Sequence, residues 1–248
     1  MRFWIDTDIG DNPDDTVALW CADQIGDADL AGISTVGGDV QQRAALVREL
    51  LPDVEVHAGA PPDASVADVD ALIGLGPWTN IAALAEADAL PRRVVMMGGA
   101  LGKVRHRDEW TRTEHNVARD PAAAARLLAL VGNLIVVPLD ATARLRARRT
   151  DEHALTRAIP QLGPQLEAWR SLRGTQLPLV LHDPATALVA LGEPIARMES
   201  KRLRVQQDGT MTASIDGPVQ QVVAHLDAEA TRKRVHELAV AAARAEGD

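Results

Sequence analysis

The chain has 248 residues, 46% of them hydrophobic, and a formal net charge of −9. That length suits one large domain with a substantial core, and the acidity argues against nucleic acid as a partner. No apolar run reaches membrane-spanning length, Met1 leads directly into the first strand, and the single Cys21 can form no intrachain disulfide. A cytoplasmic protein without signal peptide or membrane segment is therefore expected.

Strand-like runs at 2–6, 31–36, 53–58, 71–74, 93–98 and 133–138 alternate with helical patterns near 14–24, 40–51, 79–88, 120–131 and 184–192. This alternation predicts an α/β fold: a mostly parallel, Rossmann-like open sheet with helices on both faces and ligand sites at strand C-terminal ends. After residue 199, the segments KRLRV, TMTASI and VQQVVAHL read as a small antiparallel C-terminal extension. A terminal amphipathic helix follows, with Asp227 as its N-cap. No internal repeat is visible, so residues 1–248 read as a single domain. The arginine-rich RLRARR at 144–149 reads as a solvated connection rather than a phosphate site.

The most informative stretch is Ile5 to Leu19, IDTDIGDNPDDTVAL. Strand alternation puts Asp6 and Asp8 on one side of the chain. Gly10 and Pro13 then turn it, and Asp14 and Asp15 open a helix whose N-terminus tolerates negative charge. Carboxylates this dense call for a hard cation, Ca²⁺ or Mg²⁺ rather than zinc. A solvated turn with an Asp N-cap is the plain alternative. An EF-hand starting at Asp6 fails, because its twelfth position is Val17 instead of Glu and its sixth is Asp11 instead of Gly. A D-x-D phosphatase using Mg²⁺ stays open as a weaker reading.

DTDIGDNPDD at 6–15 resembles the opening signature of the nucleoside hydrolases, the Ca²⁺-dependent N-ribohydrolases. Further segments resemble theirs in the same order: ISTVGGDV at 33–40, GPWTNIAAL at 76–84, VVMMGGA at 94–100, EHNVARDPAAA at 114–124, PLDAT at 138–142 and HDPATA at 182–187. The resemblance covers nearly the whole chain. It implies the nucleoside hydrolase fold and hydrolysis of the N-glycosidic bond of ribonucleosides, giving ribose and free purine or pyrimidine. It further implies Ca²⁺ held by Asp8, Asp15, Asp183 and the Thr79 carbonyl, with Asp8 deprotonating a bound water and Asp6 in support. Asp14, Asp39, Met97, Glu114, Asn116 and Asp183 would hold the nucleoside, His182 would protonate the leaving base, and the protein would form a homodimer or homotetramer.

Each motif also has a local reading. The Thr79–Asn80 pair and Asp183 can cap helices, MGG at 97–99 can be a tight turn, and a lone His182 can be structural.

The chain departs from the family pattern in several places. Two extra residues separate Gly10 from the Asp14–Asp15 pair, Asp39 stands where Asn is usual, and His115 replaces the usual Phe. The 97–114 segment is longer and offers Lys103, Arg105, Arg107 and Trp110 in place of a Gly-Asn pair. The stretch before Ala71 lacks the long His-containing loop that covers the base in typical members. Trp110 or Trp169 would then close the base pocket, or sit in a subunit contact. These departures keep a second class in view: a nucleoside or ribose-derivative binding protein with a retained calcium site and little turnover.

Overall fold

A computed structural model describes residues 1–61, 63–106, 109–173 and 177–245. β1 (Arg2–Thr7) is buried from Phe3 onward, as a central strand covered on both faces must be. Then follow α1 (Asp14–Asp23), β2 (Asp29–Thr35), α2 (Val40–Leu50), β3 (Val56–Ala58), α3 (Asp63–Ala67), β4 (Ala71–Gly74), α4 (Thr79–Glu86) and β5 (Arg93–Met97). A hairpin of β6 (Val104–His106) and β7 (Glu109–Thr111) leads to α5 (His115–Arg119), α6 (Pro121–Leu130), β8 (Ile135–Val137) and α7 (Leu139–Thr142). The chain continues through α8 (Arg149–Ala158), α9 (Leu162–Arg173), α10 (His182–Ala190), β9 (Ala196–Val205), β10 (Met211–Ala213), β11 (Val219–Leu226) and α11 (Ala228–Ala245).

Nine strands form one sheet in the order β10-β9-β11-β8-β5-β4-β1-β2-β3. Pairing is parallel from β3 across to β11, and antiparallel where β9 joins β11 and β10. The expected small antiparallel extension is thus real, but it is not an appendage, because β11 lies parallel to β8 and carries the main sheet onward. Alternation along β1 sends Phe3 and Ile5 into one apolar layer and Trp4 into the other.

Successive strands leave β1 in opposite directions, β2 and β3 on one side, β4 and β5 on the other. That reversal opens a crevice at the C-terminal ends of β1 and β4, where open α/β sheets bind ligands. Two helices seal it. α1 and α10 pack against each other and are buried along nearly their whole lengths, α1 from Asp14 to Ala22 and α10 from His182 to Ala190. Ala18, Ala22, Ala185, Ala187 and Ala190 keep their contact surfaces small. Both helices begin at the crevice, so their N-termini converge there.

The sequence pattern predicts neither the β6–β7 hairpin nor α8 and α9. α8 begins within the arginine-rich segment, where the Arg148 backbone N–H donates to Asp151 Oδ2 at 2.8 Å and Leu155 is buried beneath a polar outer face. No helix among the described residues is long and apolar enough to cross a membrane.

Gly76 marks the tightest backbone approach at the crevice. A Cβ there would lie 2.6 Å from Val36 Cγ1 and 3.0 Å from the Asp8 backbone nitrogen. Gly76→Ala should therefore cost about 1–3 kcal/mol in urea unfolding, the usual penalty for overpacking. Gly132→Ala, where a Cβ meets nothing within 4 Å, is the control. An unchanged midpoint for Gly76→Ala would contradict the close approach.

Candidate metal centre and active site

The turn after β1 is held from three sides. Thr7 Oγ1 donates to Asp15 Oδ1 at 2.5 Å and accepts from the Ile9 N–H at 3.2 Å, tying the strand end to the first turn of α1. Arg43 reaches in from α2, donating to the backbone carbonyls of Asp8, of Ile9 at 2.6 Å and of Gly37 at 2.8 Å, and to Asp11 Oδ2 at 3.0 Å. The two extra residues are received by α9: Trp169 Nε1 donates to Asn12 Oδ1 at 3.1 Å, and Thr16 Oγ1 donates to Gln165 Oε1 at 2.6 Å. The insertion is absorbed by a helix that packs on it, so Asp14 and Asp15 still open α1 at the crevice.

Asp8, Asp14, Asp15 and Asp183 line a cavity of about 370 Å³, together with Glu114, Asn116, Met97 and His182. Asp14, Asp15 and Asp183 each bring an oxygen within 4.8 Å of the others, and all three are buried. Asp8 lies with Asp11 and His115 in a second such group. Glu114 caps α5, accepting from the N–H of Asn116 at 2.8 Å and Val117 at 3.2 Å, and it also accepts from Gly99 N–H at 2.9 Å. That fixes Asn116, whose Nδ2 donates to the Leu75 carbonyl at 2.6 Å. His182 Nδ1 pairs with Thr142 Oγ1 at 2.8 Å.

Burial dominates the electrostatics. It pushes Asp15 and Asp183 well above the usual carboxylate range, and their neighbours push further: Asp8 and Asp14 act on Asp15, while Asp14, Asp15 and Asp8 act on Asp183. Asp8 is raised to about 7 by burial, against the lowering effect of the Arg43 guanidinium. Asp6, fully buried, is also raised to about 7 by burial, although Ser34 Oγ at 2.5 Å and Asn80 Nδ2 at 2.9 Å donate to its Oδ1. Glu114 rises less, because backbone N–H groups stabilise its charge. Carboxylates crowded in this way form an all-oxygen donor set that fits a hard divalent cation.

Two expected residues lie elsewhere. Thr79 is exposed in the first turn of α4, its hydroxyl donating to Asp120 Oδ2 at 2.7 Å, and it does not line the cavity. Leu75, just beyond β4, does. Asp39 is an exposed N-cap of α2 that accepts from the Gln41 and Gln42 N–H groups. The motif around each marks a helix start: Asp39 takes the capping role there, and Thr79, following Trp78 at the start of α4, ties that helix to Asp120.

Neither tryptophan closes the cavity. Trp110 is 62% exposed, with Lys103 Nζ 5.5 Å from its ring, and Trp169 is buried against Asn12. Arg105 faces a separate surface pocket with Arg144 and Arg146, and Arg107 lies outside the described residues. Arg43, Leu75 and His106 have no signal in the sequence that singles them out.

The model of the family described as inosine-uridine preferring nucleoside hydrolase matches residues 67–236. An uncharacterized protein of Schizosaccharomyces pombe is 32% identical in an alignment that covers 57% of this chain and 58% of that relative. A plant nucleoside hydrolase structure superposes with a TM-score of 0.80 at 19% identity, covering 97% of this chain and 99% of the other. An inosine-uridine preferring nucleoside hydrolase from Bacillus anthracis gives 0.76 at 18% identity, covering 96% and 98%.

Carboxyl groups whose folded pKa is raised bind more protons folded than unfolded, so metal-free stability falls as pH rises. With Asp6 and Asp8 moved from an ordinary 3.8 to about 7, that stability is complete below the ordinary value and lost as pH climbs through about 7. Melting of chelator-treated protein should show this decline, and adding Ca²⁺ should reverse it. A metal-free melting temperature that rises over that window, or does not respond to Ca²⁺, would contradict the assignment.

Proposed function

Because the chain belongs to the inosine-uridine preferring nucleoside hydrolase family, we propose that it hydrolyses the N-glycosidic bond of ribonucleosides to ribose and free base, with Ca²⁺ as its metal. The observation that carries this reading is the meeting of Asp14, Asp15 and Asp183 in a cavity that His182 also lines. Asp8, Asp15 and Asp183 would hold the ion, with the Leu75 carbonyl taking the place expected for that of Thr79. When bound, Ca²⁺ supplies the positive charge that orients the ribose diol and makes a water acidic.

Asp8 accepts the proton of the attacking water as its oxygen adds to the anomeric carbon. Asp14, Glu114 and Asn116 hold the sugar hydroxyls, and the backbone donors on Glu114 keep that carboxylate aimed as an acceptor. Breaking the C–N bond builds positive charge on the sugar, which the surrounding carboxylates stabilise more strongly in the transition state than in the bound nucleoside. The Thr142 contact at Nδ1 orients His182 so that Nε2 serves the departing nitrogen of the base. Asp6, behind the site, sets the end of β1 through Ser34 and Asn80.

Reducing-sugar release from a panel of nucleosides, with Ca²⁺ and with chelator, tests the proposal. Sugar should appear only with the metal, and Asp15→Ala or Asp183→Ala should abolish both release and Ca²⁺-dependent stabilisation. Calcium binding without release would favour the ribose-derivative binding protein, and phosphate release from a phosphomonoester would favour a phosphatase. His182→Ala should slow nucleosides by roughly 10²–10⁴-fold, the range for a general acid, while sparing an activated nitrophenyl riboside. Equal losses on both would assign His182 to positioning instead.

A further inference from the structure

Among the described residues, nothing between β3 and β4 lines the cavity. The β6–β7 hairpin and the residues after it stand there instead, contributing His106, Thr111 and Thr113. The hairpin's register explains why His106 is the residue that enters. Val104 pairs with Thr111 and Arg105 with Trp110, so alternation turns Arg105 and Trp110 outward and leaves Val104, His106 and Thr111 on the inner face. Arg105 and Trp110 are both exposed, as this requires.

The hairpin is anchored on that inner face. Val104 packs on the small apolar cluster of Ala100, Leu139 and Ala143, and Ala143 directly follows the Thr142 that orients His182. A bridge between Thr113 and Thr210 holds the chain just beyond β7. One short stretch, α7 and the residue after it, therefore sets the positions of both imidazoles. Their centroids are 5.1 Å apart with planes inclined at 54°. Such a corner offers a planar heterocycle one ring face and one ring edge at once, with N–H groups for its nitrogen or carbonyl acceptors. The carboxylates of Asp14, Asp15 and Asp183 suit a polyhydroxylated sugar.

We infer that His106 is a base-recognition residue, which contacts the nucleobase of the substrate beside His182 and makes the β6–β7 hairpin the wall of the leaving-group subsite. This rests on the nucleoside reading above and adds the residue that senses the base. It also explains why the two tryptophans stay out of the cavity: the aromatic surface facing the base is supplied by imidazoles.

The calcium-loaded full-length protein, His106→Ala and His106→Gln are compared by initial rates on inosine and uridine, by inhibition with free ribose, and by calorimetric titration with ribose. His106→Ala should lower kcat/KM on the nucleosides about tenfold, the loss of one net hydrogen bond, and change the inosine-to-uridine ratio. Ribose inhibition and the Ca²⁺-dependent melting shift should stay within about twofold and a degree or so of wild type, because neither involves the base. His106→Gln, which keeps a donor, should recover part of the loss. Unchanged rates in His106→Ala would overturn the inference. So would an equal fall on both nucleosides with ribose binding weakened in step, which marks a packing role. If the wild type releases no sugar, the hydrolase reading fails separately, and calorimetry with inosine decides: inosine binding tighter than ribose and weakened in His106→Ala sustains the base contact, and inosine binding no tighter than ribose refutes it.

Discussion

Taking an ionised carboxylate out of water costs several kcal/mol unless a partner offsets it, and like charges sharing a site raise that cost. Asp14, Asp15 and Asp183 are held in this way at the N-termini of α1 and α10. The unpaired N–H groups and positive ends of two helices lower the cost without cancelling it. Without a cation, protonation supplies the rest, which is why Asp15 and Asp183 are pushed so far upward. The one buried arginine nearby spends most of its donors on backbone carbonyls and its remaining charge on Asp11, so it shapes the turn without neutralising the cluster. A divalent ion is the group that this arrangement leaves room for.

The rest of the fold serves that convergence. α1 and α10 lie against each other within one apolar layer that also holds Cys21, whose thiol is so buried that its pKa is pushed up to about 12, which makes it a packing group. Parallel strands bring β1 and β4 to the crevice with their C-terminal ends adjacent, and Gly76 lets the two chains approach. The cavity that results is lined by carboxylates together with the imidazoles of His106, His115 and His182. Carboxylates and imidazoles in one cavity suit a reaction in which cationic charge grows on a sugar while a proton is delivered to its leaving group.

Much of this was legible in the letters because it depends on local patterns. Strand and helix alternation revealed the parallel sheet, and the Asp-rich turn, EHN and HDP segments marked residues that do meet at one cavity. What could not be read was set by tertiary packing. Thr79 and Asp39 carry motif letters, yet the Thr79 hydroxyl is tied to Asp120 and the Asp39 side chain caps α2, and the cavity takes Leu75, an apolar residue with no chemical signal of its own. Arg43 lies far from the turn it clamps, and α9 is recognisable as the receiver of the two-residue insertion only once Trp169 and Asn12 are seen together. His106 sits in a three-residue strand too short to show a period.

Buried carboxylates this close together would be kept in place by exchanging protons for a cation. Calorimetric titration of the metal-free protein with Ca²⁺ near pH 7, repeated in buffers of different ionisation enthalpy, measures that exchange directly. One bound Ca²⁺ is expected, with a buffer-dependent heat that reports net proton release, and a smaller release at higher pH, where the groups raised to about 7 are already ionised. Calcium binding with a heat independent of buffer, or no binding at all, would contradict it.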